Sequence, residues 1–416
     1  MKFVRTVVAV LVLALSAFPQ QPPKSATVPV TLDHNRIVID VYLPLPDGTS
    51  KRVRAWVDSG NSEMTMSQRI AALLGFVSCD GRVCNATPPR EIVIGGMKIS
   101  LPGVRTASAP LTADKASDVM DPGMSAEINL PSAVLDNYDV VFDYQNREFT
   151  IGEPGTAQFK GKPTKVLIDA AGLIQIPSQI EGQSYNLALD TGASISSVSS
   201  DLLTVWHKAE PTWPFMTGAV GAANVWGSPE EARGGVLRLP NIQLGTTTLR
   251  DVAVAPFAPD RLKLFEHRAG MPTIGLVGGN VLRQYLVGID YAHSVVYLQR
   301  TSVTSPPDMD GIGLTLRPEL DGRYTVAGVV ELDGKPSVPD VTSGDVLLAV
   351  DGAPVPGATM GQVWSLLGGS PGQTRSLTFE RAGRRFKVDA TVHRFLAARS
   401  KARPPVKTVR KEPTKK

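Results

Sequence analysis

The chain has 416 residues, 42% of them hydrophobic and 20% charged, which excludes a globally disordered protein and fits roughly two to four domains. The formal net charge is +4, but residues 397–416 hold eight Lys/Arg and one Glu, so the remainder carries −3 and offers no basic domain for specific nucleic-acid binding. Frequent Gly (38) and Pro (33), together with Val/Thr-rich runs, predict a mainly β protein with many turns.

The first 17 residues have the pattern of a secretory signal peptide. Lys2 and Arg5 precede an apolar run over residues 7–17, which is short for the roughly 20 residues that span a bilayer. Small residues towards Ala17 are typical of a cleavage site. We therefore expect residues 1–17 to be removed and the protein to be exported, either periplasmic or secreted; an uncleaved anchor is the alternative.

Two cysteines, Cys79 and Cys84, are present in the whole sequence. An exported protein meets an oxidising compartment, so a local disulfide between them is a candidate. Two thiols without a nearby His do not complete a zinc site, and no phosphate-binding or dinucleotide motif occurs. We expect neither a metal nor a cofactor.

Two segments of the chain repeat the same order of features. Each has a strand, a hairpin turn, a second strand and a loop that opens with Asp. The copies are residues 37–60, ending in Asp58-Ser59-Gly60, and residues 173–192, ending in Asp190-Thr191-Gly192.

The later parts of the two copies also match. Residues 135–144 and 282–291 correspond at a constant offset of 147, whereas the two Asp residues are 132 apart. The duplication predicts two β-rich lobes, residues 31–155 and 165–300. The segment between them, residues 155–165, is rich in Gly, Pro and Lys and is expected to be a linker.

A third module, residues 308–395, follows the second lobe. It opens with Gly311-Ile312-Gly313-Leu314, and strands are predicted near residues 324–330 and 347–350. A hairpin over residues 377–392 closes it. The last segment, residues 396–416, is basic and contains three prolines, so we expect a disordered tail that is either solvated or bound to an anionic surface.

One helix is predicted inside this module. Thr359 with Gln362 three residues later is a capping-box pattern, and Gly368 is a typical helix end. Between them, Val363 and Leu367 fall on one apolar face.

The two Asp loops carry the chemistry. Two facing carboxylates share one proton, so one member can activate a water molecule while the other protonates a carbonyl oxygen. Asp58 and Asp190 are therefore the candidate catalytic pair for peptide hydrolysis. Their supporting residues are glycines that allow close approach and hydroxyls that can bond across the pair: Ser59, Gly60, Thr191 and Gly192.

The second copy resembles the pepsin and retropepsin-like aspartyl proteases. The resemblance rests on Asp190-Thr191-Gly192-Ala193-Ser194, on Ile274-Gly275-Leu276-Val277-Gly278 and on Gly288-Ile289-Asp290-Tyr291, and it extends over residues 31–300. It implies a mainly β, two-lobed acid protease fold with a flap over a cleft, a peptide or protein substrate, and Asp58 and Asp190 as the catalytic pair.

The third module resembles a PDZ domain, a small α+β fold. Gly311-Ile312-Gly313-Leu314 is similar to the loop that receives a peptide's terminal carboxylate. By resemblance, the peptide of a protein partner would add as a strand between residues 314–316 and the helix of residues 359–367, with Val363 and Leu367 on the groove side.

The first lobe departs from the protease pattern. Residues 127–131, which align with residues 274–278, lack the glycines and contain Pro131. No Tyr lies between Asp58 and Tyr138, so the flap is expected from residues 218–227 of the second lobe. The leading hypothesis is an exported aspartic endopeptidase, a hydrolase. A catalytically inactive binding protein and a homodimer that uses Asp190 alone are the alternatives.

Overall fold

The computed structural model describes residues 22–75, 77–79, 82–84, 89–101, 123, 125–217, 234–259, 262–263, 266, 273–303, 309–319, 321–332 and 334–397, with the backbone alone for residues 68, 77–79 and 82–84. Strands predominate over helices in these residues, so the prediction of a mainly β protein is confirmed. No helix in the described part of the chain is long and apolar enough to cross a membrane.

Three groups of strands follow one another along the chain. The first repeat contains β1 (Ser25–Pro29), β2 (Thr31–Asp33), β3 (Arg36–Pro44), β4 (Ser50–Asp58), β5 (Val77–Cys79), β6 (Arg82–Cys84), β7 (Glu91–Ile94), β8 (Met97–Ser100), β9 (Ile128–Pro131), β10 (Asp139–Asp143) and β11 (Glu148–Gly152). The second repeat contains β12 (Lys162–Lys165), β13 (Leu167–Ile168), β14 (Ile174–Ile180), β15 (Gln183–Leu189), β16 (Ser196–Ser199), β17 (Phe215–Thr217), β18 (Gly235–Leu244), β19 (Thr247–Phe257), β20 (Gly275–Val277), β21 (Tyr285–Asp290) and β22 (Val295–Arg300). The C-terminal unit contains β23 (Asp310–Gly311), β24 (Leu314–Pro318), β25 (Tyr324–Val329), β26 (Glu331–Leu332), β27 (Lys335–Pro336), β28 (Val346–Val350), β29 (Ala353–Pro354), β30 (Thr374–Arg381), β31 (Arg384–Thr391) and β32 (His393–Arg394).

The helices of the described residues are short and lie between the strands. They are α1 (Gln68–Leu73), α2 (Ser132–Leu135), α3 (Ser200–Ala209), α4 (Gly279–Leu282) and α5 (Met360–Leu367). The capping box predicted for α5 is present, with Thr359 as N-cap and Gln362 as its partner, and the helix ends at Gly368.

Strand β4 illustrates why these segments form strands. Val53, Ala55 and Val57 are buried, and the residues between them, Arg54 and Trp56, are only partly covered. This period of two suits a strand with one face on a core.

Both repeats build their main sheet in the same way. A hairpin, β3–β4 or β14–β15, receives a parallel partner from later in its repeat, β9 next to β4 and β20 next to β15. The first sheet has the order β8-β7-β3-β4-β9 with β2 on β3, and the second has the order β13-β14-β15-β20-β16-β19-β18-β17. The two predicted hairpin turns lie where expected, at Gly48 (φ 84°) and Gly182 (φ 76°).

A six-stranded sheet joins the repeats in the order β1-β11-β10-β21-β22-β12. At its centre Val141 of β10 pairs with Gly288 of β21, which is its own counterpart at the offset of 147. Equivalent strands that pair antiparallel about equivalent residues are related by a local twofold axis. The duplication seen in the sequence is therefore also an approximate symmetry of the fold.

The boundaries of the repeats differ from our expectation in two places. Strand β12 lies inside residues 155–165, which we expected to be a linker, and β1 precedes residue 31, where we expected the first lobe to begin. Both are edge strands of the joining sheet, β1 on β11 and β12 on β22. Their partners are distant in sequence, so the local Gly, Pro and Lys content did not reveal the pairing.

The C-terminal unit has its own sheet, in the order β24-β25-β28-β30-β31 with β29 on β28, and helix α5 packs against it. Its buried core is separate from the larger core that both repeats share. A third apolar cluster connects the unit to the second repeat and includes Ile195, Met216, Val236, Ala253, Ala255, Met309, Val330, Phe395 and Leu396.

Candidate active site

Asp58 and Asp190 occupy equivalent places in the two repeats. Asp58 is the last residue of β4, and Asp190 follows β15 directly. In each repeat the preceding residue pairs with the parallel partner strand, Val57 with Leu130 and Leu189 with Val277. Both carboxyl groups therefore lie at the end of a central, buried strand.

The two loops lie against each other's carboxyl groups. A side chain at Gly60 would overlap the carboxyl of Asp190, and a side chain at Gly192 would overlap the carboxyl of Asp58. Glycine is required at both positions by this close approach. The structure thus brings the two candidate carboxylates and both candidate glycines into one site.

Reciprocal hydrogen bonds connect the loops. The Ser59 amide donates to Thr191 Oγ1 (3.1 Å), and the Thr191 amide donates to Ser59 Oγ (3.0 Å). Each hydroxyl then donates to a main-chain carbonyl in the opposite repeat, Ser59 Oγ to Leu189 (2.9 Å) and Thr191 Oγ1 to Val57 (2.9 Å). The four candidate supporting residues, Ser59, Gly60, Thr191 and Gly192, thus all contact the opposite repeat.

The carboxyl groups also accept main-chain hydrogen bonds within their own loops. Asp58 Oδ1 accepts one, from the Gly60 amide (3.1 Å). Asp190 Oδ1 accepts two, from the amides of Gly192 (2.8 Å) and Ala193 (2.9 Å). These main-chain donors favour the ionised form of each carboxyl.

Burial dominates the electrostatics of the pair. It raises the pKa of Asp58 well above its usual value, and the neighbouring charge of Asp190 raises this pKa further. Burial also raises the pKa of Asp190, opposed by the amides of Ala193 and Gly192 and by the Arg36 guanidinium. Two adjacent carboxyls with raised pKa values are suited to hold a single proton between them.

The first repeat keeps the backbone of the site without the glycines of the second. Met66 forms an antiparallel β-bridge with Ile128, and the equivalent residues of the second repeat, Val198 and Gly275, pair in the same way. The amide of Ser132 bonds to the carbonyl of Asn61 (2.8 Å), just as the amide of Gly279 bonds to Ala193 (2.7 Å). The change in sequence at residues 127–131 has therefore not altered the local fold.

Sequence reasoning missed three residues next to the pair. Asn129 accepts a hydrogen bond from the Thr65 amide (2.6 Å), and its side chain lowers the pKa of Asp58. Trp56 lies against the Gly192 loop, and the buried Arg36 reaches the same loop. A charged residue directly before the apolar run of residues 37–39 was the available signal for Arg36.

The glycine-rich segment of the C-terminal unit lines a groove between β24 and α5. The groove is lined by five of the candidate peptide-binding residues: Gly311, Ile312, Gly313, Leu314 and Leu367. Trp364 and Phe395 of the same unit and Met216 of the second repeat complete the lining. Val363 is fully buried in the core of the unit, where it has no accessible surface to offer a ligand. The Ile312 amide already bonds to the Leu367 carbonyl (3.2 Å).

Several predictions fall on residues that the structure does not describe. They are the signal peptide of residues 1–17, the flap of residues 218–227 and the basic tail beyond residue 397. For Cys79 and Cys84 the backbone alone is described: β5 and β6 form a hairpin in which Cys79 faces Arg82. The disulfide stays a prediction.

Comparison of the sequence with protein-family models gives no match, and no curated protein is significantly similar to the chain. The geometry of the paired Asp loops therefore carries the functional argument.

Proposed function

We propose that this protein is an exported aspartic endopeptidase. In this proposal the two repeats form a pepsin/retropepsin-like two-lobed acid protease, and the C-terminal unit is a PDZ-like domain. The reciprocal packing of the two Asp loops is the observation that carries it: each glycine lies on the opposite carboxyl, and each hydroxyl bonds to the opposite loop. Such a fixed, buried pair of carboxyls is what water-mediated peptide hydrolysis requires.

The reaction follows from one proton shared by the pair. The ionised carboxylate takes a proton from a water molecule while the water oxygen attacks the carbonyl carbon of the peptide. The protonated carboxyl gives its proton to the carbonyl oxygen, and a tetrahedral diol forms. The carboxyl that took the water proton then donates it to the amide nitrogen, and the other carboxylate takes a proton from a diol hydroxyl. The C–N bond breaks, and the pair again shares one proton.

The C-terminal unit supports a second role, the binding of peptide C-termini by a PDZ-like domain. The supporting features are the groove lined by residues 311–314 and Leu367, and the position of β24 as the terminal strand of its sheet among the described residues. An extended peptide can add to such an edge through main-chain hydrogen bonds. The ligand would be a substrate or a protein partner.

Two alternative functions make different predictions. In a catalytically inactive binding protein, the Asp pair would be a structural relic. In a homodimeric enzyme, each chain would contribute Asp190 alone. The contact between Asp58 and Asp190 within one chain favours a single-chain pair over the dimer.

The test is hydrolysis of a mixture of unstructured peptides by the mature protein between pH 3 and pH 8. Asp58→Asn and Asp190→Asn should each lower kcat/KM by about 10³-fold, and the double variant should lose no more, because the two groups act as one unit. Asp40→Asn is the matched control, since Asp40 lies on the surface of β3 beside Arg52. Activity should peak where the pair holds one proton and should be blocked by a pepstatin-type inhibitor.

Other outcomes would identify the alternatives. If Asp58→Asn retains activity, Asp190→Asn is inactive and activity falls on dilution, then the homodimer is the correct description. If the folded wild-type protein cleaves nothing across this pH range, the endopeptidase proposal is wrong.

A further inference from the structure

Arg36 breaks the symmetry of the site. Trp56 pairs with Val38, and its counterpart Ala188 pairs with Gln175, so the residue equivalent to Arg36 in the second repeat is Leu173. Leu173 is 2% exposed and Arg36 is 1% exposed, so an arginine occupies a position where the twin repeat buries an apolar side chain. A buried cation is unfavourable unless its surroundings compensate the charge.

The guanidinium crosses to the loop of Asp190. Arg36 Nε donates to the Gly192 carbonyl (3.0 Å), and Nη2 donates to Ser194 Oγ (3.4 Å). The neighbouring Asn35 side chain donates to the Ser194 carbonyl (3.1 Å). These contacts fix both sides of Ala193, whose amide bonds to the Asp190 carboxylate.

The same guanidinium acts on the charge of the pair. It lowers the pKa of both Asp58 and Asp190, against the effect of burial. Other ionisable neighbours among the described residues are the phenol of Tyr144, which interacts with Asp190, and His34, which interacts with both Arg36 and Arg283. His34 is held neutral, because burial and both arginines lower its pKa well below the usual value.

We propose that Arg36 is a positioning residue that holds the Asp190 loop and favours the ionised form of the Asp58–Asp190 pair. This inference rests on the proposed endopeptidase function. Asp190 accepts hydrogen bonds from two amides, and Asp58 from the Gly60 amide and the Asn129 side chain, so Arg36 adds a cation to a pair that is hydrogen-bonded on both sides.

Two substitutions separate charge from geometry. In Arg36→Met the acidic limb of the kcat/KM profile should shift to higher pH by about one unit, with at least a tenfold loss at the optimum, because the pair loses a cation that favours its ionised form. Arg36→Lys keeps the charge but loses the fork of donors, so its profile should keep the wild-type midpoint while kcat falls. Arg238→Met is the matched control: Arg238 also donates to two carbonyls, of Leu396 and Asp251, and has no effect on the pKa of either carboxyl.

A second measurement does not depend on hydrolysis. The folded pKa of Asp190 lies above its unfolded value of about 4, so its contribution to stability is greatest below that pH and declines as pH rises through the folded pKa. Removing Arg36 raises the folded pKa further, so Arg36→Met should lower Tm more at pH 7.5 than at pH 4. In an Asp190→Asn background this pH-dependent difference should become smaller, and Asp58 and His34, whose pKa values Arg36 also lowers, account for the part that remains.

The outcomes are distinguishable. A Tm loss in Arg36→Met that is equal at both pH values and unchanged by Asp190→Asn overturns the inference, as does an unshifted activity profile. A pH-dependent Tm loss that becomes smaller with Asp190→Asn, in a protein that hydrolyses no peptide, supports the Arg36–Asp190 link and rejects the endopeptidase function.

Discussion

At the scale of single residues, each Asp loop has one hydroxyl that accepts one hydrogen bond and donates another. Thr191 Oγ1 accepts from the Ser59 amide and donates to the Val57 carbonyl, and both partners are buried in the opposite repeat. The loop geometry therefore depends on a hydroxyl at this position and only weakly on its methyl group. Serine in the twin loop makes the same pair of bonds without the methyl group.

Thr191→Val should lower the free energy of unfolding by about 1–3 kcal/mol, because it leaves a buried amide and a buried carbonyl without their partner. Thr191→Ser keeps the hydroxyl and should cost less than half as much. Urea denaturation measures both effects, and peptide hydrolysis should follow the same order. Equal losses for the two variants would show that packing of the methyl group, and not the hydrogen bonds, holds the loops.

Ser59 and Thr191 were predictable because the same residue type recurs at the same step of a repeat. Arg36 and Asn129 were not, because each replaces an apolar residue of the other copy, Leu173 and Leu276, and the repeat gives no guide to such exceptions. Their partners lie on distant parts of the chain. A sequence pattern can mark such a residue as unusual, but not identify what it contacts.

At the scale of elements, helix α5 is held from outside its own unit. Asp33, the last residue of β2, accepts hydrogen bonds from Thr359 Oγ1 (2.8 Å) and the Gly361 amide (2.7 Å). Its second oxygen accepts from the Ser125 amide (3.2 Å). An acidic side chain at a helix N-terminus satisfies free amides and is favoured by the helix dipole. The capping box was predictable from the spacing of two residues, but this docking joins residues 326 apart and was not.

Asp33→Ala should lower the free energy of unfolding by about 1–3 kcal/mol, because three partly buried donors lose their acceptor. Hydrogen exchange should also become faster at the α5 amides. Asp40→Ala is the control: its ion pair with Arg52 is exposed, so its removal should cost at most about 1 kcal/mol. Unchanged exchange in α5 after Asp33→Ala would mean that the unit's own core holds the helix in place.

At the scale of the whole molecule, the duplication was predictable and the assembly of its parts was only partly so. Constant offsets between the copies revealed the repeat, and the twofold pairing of β10 with β21 follows the same offset. The edge strands β1 and β12 and the docking of the C-terminal unit depend on partners far along the chain. They were recognisable in the structure alone, since local composition carries no information about a distant partner.

Phe395 joins the C-terminal unit to the second repeat. It is buried in the connecting cluster with Met216, and its ring lies against Gly313 at the head of the groove. Because this cluster bridges two cores, we expect the wild-type protein to unfold in one calorimetric transition. Phe395→Ala should remove about 3–5 kcal/mol of packing energy at the junction, and the C-terminal unit should then melt separately, before the repeats.

The control for this prediction is the same type of substitution, Phe to Ala, at a position inside the C-terminal unit. Phe386 stacks on Phe379 at 5.6 Å, and Arg381 covers it, without contact to the connecting cluster. Phe386→Ala should lower Tm but leave one transition, because the junction is intact. If Phe395→Ala also unfolds in a single transition, then the Asp33 contact with α5 is sufficient to couple the unit to the repeats, and the apolar junction is not the element that makes the molecule cooperative.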